Sequence, residues 1–123
     1  MSVHTKDTVA RKAWIERVRI AAIIASPGVP PFLQTNVRLT IVFLSDDQQR
    51  LDVDNVIKPI QDALTLVFYG DDDVVSDVDA HRRTWTDPSN EDLLPELLKA
   101  PWKEQRECVY VRVEETQPLE QLL

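Results

Sequence analysis

A single cysteine, Cys108, leaves no partner for an internal disulfide and too little sulfur for a cysteine-built zinc site. Two histidines, His4 and His81, are too few and too separated to hold a metal. Long apolar runs are missing too. Residues 20–25 are apolar but far shorter than a membrane span, and they follow Arg17 and Arg19. No basic-then-apolar leader opens the chain, and neither an internal repeat nor a low-complexity segment interrupts it. These absences point to a reducing cytoplasm, with no membrane association and with Cys108 as a buried strand residue. The length suits one domain over residues 1–123 with one core, ending in a short tail at 114–123.

Basic charge is also in short supply. The chain has 14 Lys and Arg against 21 Asp and Glu, a formal net charge of -7. The imbalance is uneven: residues 1–70 carry eight basic and seven acidic groups, whereas residues 71–123 carry six and fourteen. Nucleic-acid binders are usually basic. Any phosphate-based affinity is therefore expected to be modest and strongly salt-dependent, relying on a locally basic face or on recognition of shape.

Hydrophobic spacing gives a coarse map. Residues 6–25 read as a helix, with Thr5 or Asp7 as its cap and Ala10, Trp14, Val18, Ala21 or Ala22, and Ile24 as its apolar stripe. Val37, Leu39, Ile41 and Phe43 alternate with Arg38, Thr40, Val42 and Leu44 as in a strand with one strongly apolar face. Residues 55–67 read as a second helix, with Asp54 or Asn55 at its N-cap, Val56, Ile57, Ile60, Leu64 and Val67 inward, and Pro59 tolerated in its first turn. Residues 74–85 read as a strand, 90–100 as a short helix, and 108–113 as a last strand with Val109, Val111 and Val113 on one face. The sum is an α+β fold: a small mixed or antiparallel sheet of at least three strands, flanked by two main helices.

What stands out chemically is Arg50-Leu51-Asp52-Val53-Asp54-Asn55-Val56-Ile57-Lys58, followed after the predicted helix by Asp71-Asp72-Asp73. In an extended segment Asp52 and Asp54 point to one side, and in a helix Lys58 lies one turn beyond Asp54. Unneutralised carboxylates at about 5 Å, with an effective dielectric of about 20, repel by roughly 3 kcal/mol per pair. A cation offsets that cost. Acidic clusters linked by one helix, with a lysine between them, suit Mg²⁺-dependent cleavage of a phosphodiester. The helix N-terminus favours ionised carboxylates or a phosphate nearby. A triple Asp alone would read as a solvated turn, and Lys58 alone as an exposed partner of Asp54.

These residues, with Asp62-Ala63-Leu64 and Tyr69-Gly70-Asp71-Asp72-Asp73-Val74-Val75, resemble the signature of RusA-type Holliday junction resolvases: D-x-D-N-x-x-K, then D-A-L, then D-D-x-x-V. The resemblance covers roughly residues 50–83. It implies a small homodimeric, Mg²⁺-dependent endonuclease that nicks four-way DNA junctions symmetrically, in DNA recombination and repair. It implies catalytic roles for Asp52, Asp54, Lys58 and Asp72, with Asp52, Asp54 and Asp72 as metal ligands. Sliding the match by one residue would choose Asp73 in place of Asp72, Asp71 is the neighbouring carboxylate and a further candidate ligand, and Asn55 is a cap or an orienting residue. Arg50, Lys58, Arg82 and Arg83 are the candidate DNA contacts; Trp14, Trp85 and Trp102 read better as packing than as base-stacking residues. The family ordinarily has a strand and loop before its first helix. This sequence shows no counterpart ahead of residue 6, so one sheet edge is expected to be absent. Two rival readings follow: a broader flap or fork nuclease, and a catalytically degenerate protein-binding module, the latter suggested by the acidic second half.

Overall fold

Strand β1 (Val37–Leu44) is the middle of a three-stranded sheet, with β2 (Val75–Arg83) on one side and β3 (Cys108–Glu115) on the other. The computed structural model of the chain describes residues 13, 16–25, 32, 35–46 and 54–123, without the side chains of residues 54–56 and 72. β1 pairs with β2 in parallel and with β3 antiparallel. The sheet is therefore mixed and the class α+β, as expected. Four helices accompany it among the described residues: α1 over residues 16–25, α2 (Asp54–Leu64), α3 (Glu96–Glu104) and α4 (Leu119–Leu122). Short 3-10 turns cover Asp72–Val74 and Glu91–Leu93.

The alternation in β1 separates the two faces of the sheet. Val37, Leu39, Ile41 and Phe43 are at most 2% exposed, and they form one cluster with Ala22 of α1, Ile60 and Leu64 of α2, and Val67 and Tyr69. Val109, Val111 and Val113 pack against the same cluster, so β3 presents its valines as its period predicts. Removing a side chain such as Leu39 or Ile41 from water contributes about 1.5–3 kcal/mol. The opposite face is mixed. Arg38 pairs with Asp79 of β2, donating from Nε at 2.8 Å as well as from Nη2. Further along, Leu44 is buried, as are Leu98 and Trp102 of α3, and α3 contacts β3.

Several local expectations are corrected. In α1 the buried side carries Ala22 with Val18 half-buried, whereas Ile24 is 75% exposed. Ile24 lies two residues past Ala22, about 200° around the helix, so it cannot continue the stripe. Ala10, Trp14 and the caps Thr5 and Asp7 lie outside the described residues. α2 stops at Leu64 rather than 67, because Leu66 takes a left-handed conformation (φ 69) that reverses the chain. Asp54 and Asn55 are both helical, so they occupy the first turn rather than the cap position. Pro59 is the sixth residue of α2, past the first turn, and its missing N–H leaves the Asn55 carbonyl without its usual i+4 donor.

The predicted 90–100 helix is divided at Leu94 and Pro95, and its second part runs on through Pro101 and Trp102 to Glu104. Glu114 and Glu115 belong to β3, and residues 119–122 of the expected tail are helical. Cys108 opens β3 half-buried rather than enclosed. Burial raises its thiol pKa, and Arg106 partly opposes the shift. No helix among the described residues is long and apolar enough to cross a membrane.

Candidate active site

The site's backbone is the β1–α2–β2 crossover. β1 and β2 are parallel neighbours, so the chain must return from the end of one to the start of the other, and α2 makes that return. Asp54 opens α2, and the Asp71–Asp73 run follows the reversal after its last turn. Eleven helical residues rise about 16 Å, so α2 is the spacer between the two acidic groups along the chain.

That spacer is fastened firmly at its C-terminal end. The Gln61 carbonyl accepts three donors: the Thr65 amide at 3.1 Å, the Thr65 hydroxyl at 2.9 Å and the buried Tyr69 hydroxyl at 2.8 Å. The Leu66 amide donates back to the Tyr69 carbonyl at 2.7 Å, closing the reversal. Phe32 joins from an earlier segment, its amide donating to the Phe68 carbonyl at 2.9 Å. Arg19 of α1 reaches the next carbonyl of α2, donating from Nη2 to the Asp62 oxygen at 2.7 Å. The Asp62 carbonyl lies in the last turn, and the amide four residues on, that of Leu66, is turned to Tyr69, so Arg19 supplies the donor in its place.

Burial fixes how α2 is rotated. Pro59, Ile60, Ala63 and Leu64 face the core, which turns Lys58 and Asp62 outward. Lys58 Nζ lies 3.1 Å from Asp62 Oδ1 in an i,i+4 pair whose side chains are 63% and 53% exposed. Such a pair is worth only about 0.3–0.5 kcal/mol. Asp62 is the carboxylate described at Lys58; the side chain of Asp54, the partner expected from the sequence, lies outside the described residues.

Asp71 and Asp73 are exposed, with the Asp73 amide 3.4 Å from Asp71 Oδ1. Asp72 begins the 3-10 turn Asp72–Val74 that leads into β2. Arg82 and Arg83 are exposed at the far end of β2, opposite Phe43 and Leu44 of β1. From Asp73 to Arg82 is nine residues, about 30 Å of extended chain, so one phosphate cannot touch both ends. Arg50 and Asp52 lie outside the described residues, as do the side chains of Asp54, Asn55 and Asp72. Among the described residues, no three His, Cys, Asp or Glu side chains form a metal-holding group. The donor set proposed from sequence is all carboxylate, the hard oxygen chemistry that suits Mg²⁺.

Sequence reasoning missed two links. The Lys58–Asp62 pair was readable from its i,i+4 spacing. The Arg19 bond to Asp62 joins residues 43 apart and left no local signal.

A mixed sheet whose parallel crossover ends in exposed acids is consistent with a carboxylate-based nuclease, and the sequence comparison makes the class specific. The family model for endodeoxyribonuclease RusA matches residues 3–93, a span that holds α1, β1, α2, β2 and all the acidic motifs. The chain belongs to the RusA endodeoxyribonuclease family, which indicates an endonuclease acting on Holliday junctions. Neither the curated proteins nor the solved structures gave a significant match.

Proposed function

We propose that this protein is a Mg²⁺-dependent endodeoxyribonuclease that resolves four-way DNA junctions by paired, symmetric nicks. The observation that carries the reading is the family match over residues 3–93, within which Asp52, Asp54, Lys58 and Asp72 fall in the family's order and spacing. The same reading takes residues 1–123 as one domain. It makes the working unit a homodimer in the cytoplasm, since two strands cut symmetrically call for two related sites.

In this reading Asp52, Asp54 and Asp72 hold the metal, with Asp71, Asp73 and Asn55 as the nearest alternatives. Bound Mg²⁺ supplies charge neutralisation at the phosphate and activation of water. The carboxylates fix where that charge sits. The first turn of α2 adds its positive end, which favours their ionised state. Lys58, exposed on the outward row of α2, places an ammonium where a scissile phosphate or its leaving oxygen gathers negative charge. Arg50, Arg82 and Arg83 hold the DNA backbone away from the chemistry. With a net charge of -7, that hold should weaken steeply as salt rises.

The test is cleavage of a mobile four-way junction in Mg²⁺, with EDTA and Asp72→Asn as controls. Paired nicks are expected. Asp72→Asn or Asp52→Asn should reduce them by about a thousandfold or more, the scale of lost transition-state charge stabilisation, while junction binding is kept or strengthened. Equal loss of binding and cutting would argue against these roles. No nicks on junctions, flaps or forks at any salt would leave a non-catalytic, protein-binding chain.

A further inference from the structure

Asp62 has no part in the chemistry above, yet it lies where α1 is tied to α2, one turn from Lys58. Positions 58 and 62 form one row of α2, and the buried Pro59, Ile60, Ala63 and Leu64 hold that row outward. The Asp62 carboxylate engages the Lys58 ammonium at 3.1 Å, and its carbonyl is tied to α1 by Arg19 at 2.7 Å. Arg19 Nε is itself buried without a partner among the described residues, so packing as well as this bond keeps the guanidinium in place.

Helix stability does not explain the pair. A lysine preceding its acidic partner is the less favourable order for an i,i+4 pair, because it sets the positive charge nearer the positive end of the helix. At this exposure the pair shifts an equilibrium by only about twofold. A clamp that weak orders the ammonium in the free protein and gives it up when a stronger anion arrives. A DNA phosphate is such an anion.

We propose that Asp62 is a positioning residue for Lys58, holding its ammonium on the outward row of α2 until a DNA phosphate takes the carboxylate's place, with Arg19 fixing the backbone from which Asp62 acts. The proposal rests on the endonuclease reading given above. Asp62 touches no substrate; it acts through Lys58 alone.

The test is a double-mutant cycle on the full chain with a four-way junction, using Asp62→Asn, Asp62→Glu, Lys58→Ala and the Lys58→Ala/Asp62→Asn pair. Asp62→Asn should lower kcat by about twofold, the scale of the pair itself, with KM unchanged or lower, as expected when one of the contacts that orders Lys58 is lost. Asp62→Glu should recover most of that loss. In the Lys58→Ala background, Asp62→Asn should change kcat by less than about 1.2-fold, the signature of two residues acting as one unit. A roughly twofold loss that persists without Lys58, a wild-type kcat in Asp62→Asn, or an Asp62→Glu no better than Asp62→Asn would overturn the proposal. Metal-free junction binding separates the two readings. If the wild-type chain binds but does not cut, the endonuclease reading fails and the binding cycle decides. Tightening by Asp62→Asn that is larger with Lys58 than without it supports the clamp, and equal tightening overturns it. A chain that neither binds nor cuts overturns both.

Discussion

On one face of β1, Val37, Leu39, Ile41 and Phe43 are sealed beneath α1 and α2; on the other, Arg38, Thr40 and Val42 lie between charged neighbours. The second face has Asp77, Asp79 and His81 of β2 on one side, and Glu114, Arg112 and Tyr110 of β3 on the other. Arg38 is bound to Asp79, which raises the guanidinium pKa beyond its already high ordinary value. Thr116 and Ser76 hydrogen-bond each other at 2.9 Å, and both reach Asp77. Alternate residues of the same strands thus serve two purposes. The apolar face sets the position of α2, and through it that of Lys58. The charged face holds strand to strand by partly hydrated contacts that are individually weak.

That contrast can be broken from either side. Ile41→Ala, at a fully buried position, should cost about 2–5 kcal/mol in urea unfolding, through lost burial and the cavity left behind. A cost below about 1 kcal/mol would mean the apolar face is loosely packed. Thr40 is the sharper probe, because its side chain is 8% exposed and its hydroxyl is buried with no partner among the described residues. Thr40→Val removes the unpaired hydroxyl and keeps the branch, so a gain of about 1 kcal/mol is expected. A loss instead would reveal a partner for the hydroxyl, such as a bridging water. Asp79→Asn should matter less, by at most about 1 kcal/mol and less at high salt, since both partners are partly exposed.

The smallest effect concerns Cys108, opposite Leu44 at the end of β3. Its folded thiol pKa is raised by burial, so the folded chain holds the proton more tightly than the unfolded one. The associated stability is present below the ordinary thiol value, about 8.5, and is lost as pH rises through the folded pKa. Alkylation by iodoacetamide should therefore show a midpoint above that of the urea-unfolded chain. A midpoint below it would place Arg106 ahead of burial as the dominant influence.

Much of this was legible before any coordinates. The strict alternation of β1 and the valines of β3 gave both strands and their inner faces, since period two has one burial solution when one face is apolar. The motif around Asp52, Asp54 and Lys58 led to the family that the match over residues 3–93 establishes. What stayed hidden was long-range or stereochemical. Ile24 continues an apolar run without continuing the buried side of α1. The reversal at Leu66 uses a left-handed residue that is not glycine, so composition gave no warning. Pro101 sits inside α3, where local preference argues against a helix and the burial of Trp102 overrides it. The bond from Arg19 to Asp62 has no sequence signature at all.

β3 has a consequence in time. The strand at the centre of the sheet emerges early from the ribosome, and its parallel neighbour follows some thirty residues later. Its antiparallel neighbour, Cys108–Glu115, comes last, beyond the 3–93 span that defines the family. A nascent chain that has delivered every acid of the proposed site still lacks Val109, Val111 and Val113 from its core. One edge of β1 then stays bare, an adhesive border for other half-made chains. Synthesis therefore delivers the acids before it delivers this edge of the scaffold, and the seconds in which β3 emerges decide whether the two meet in one molecule.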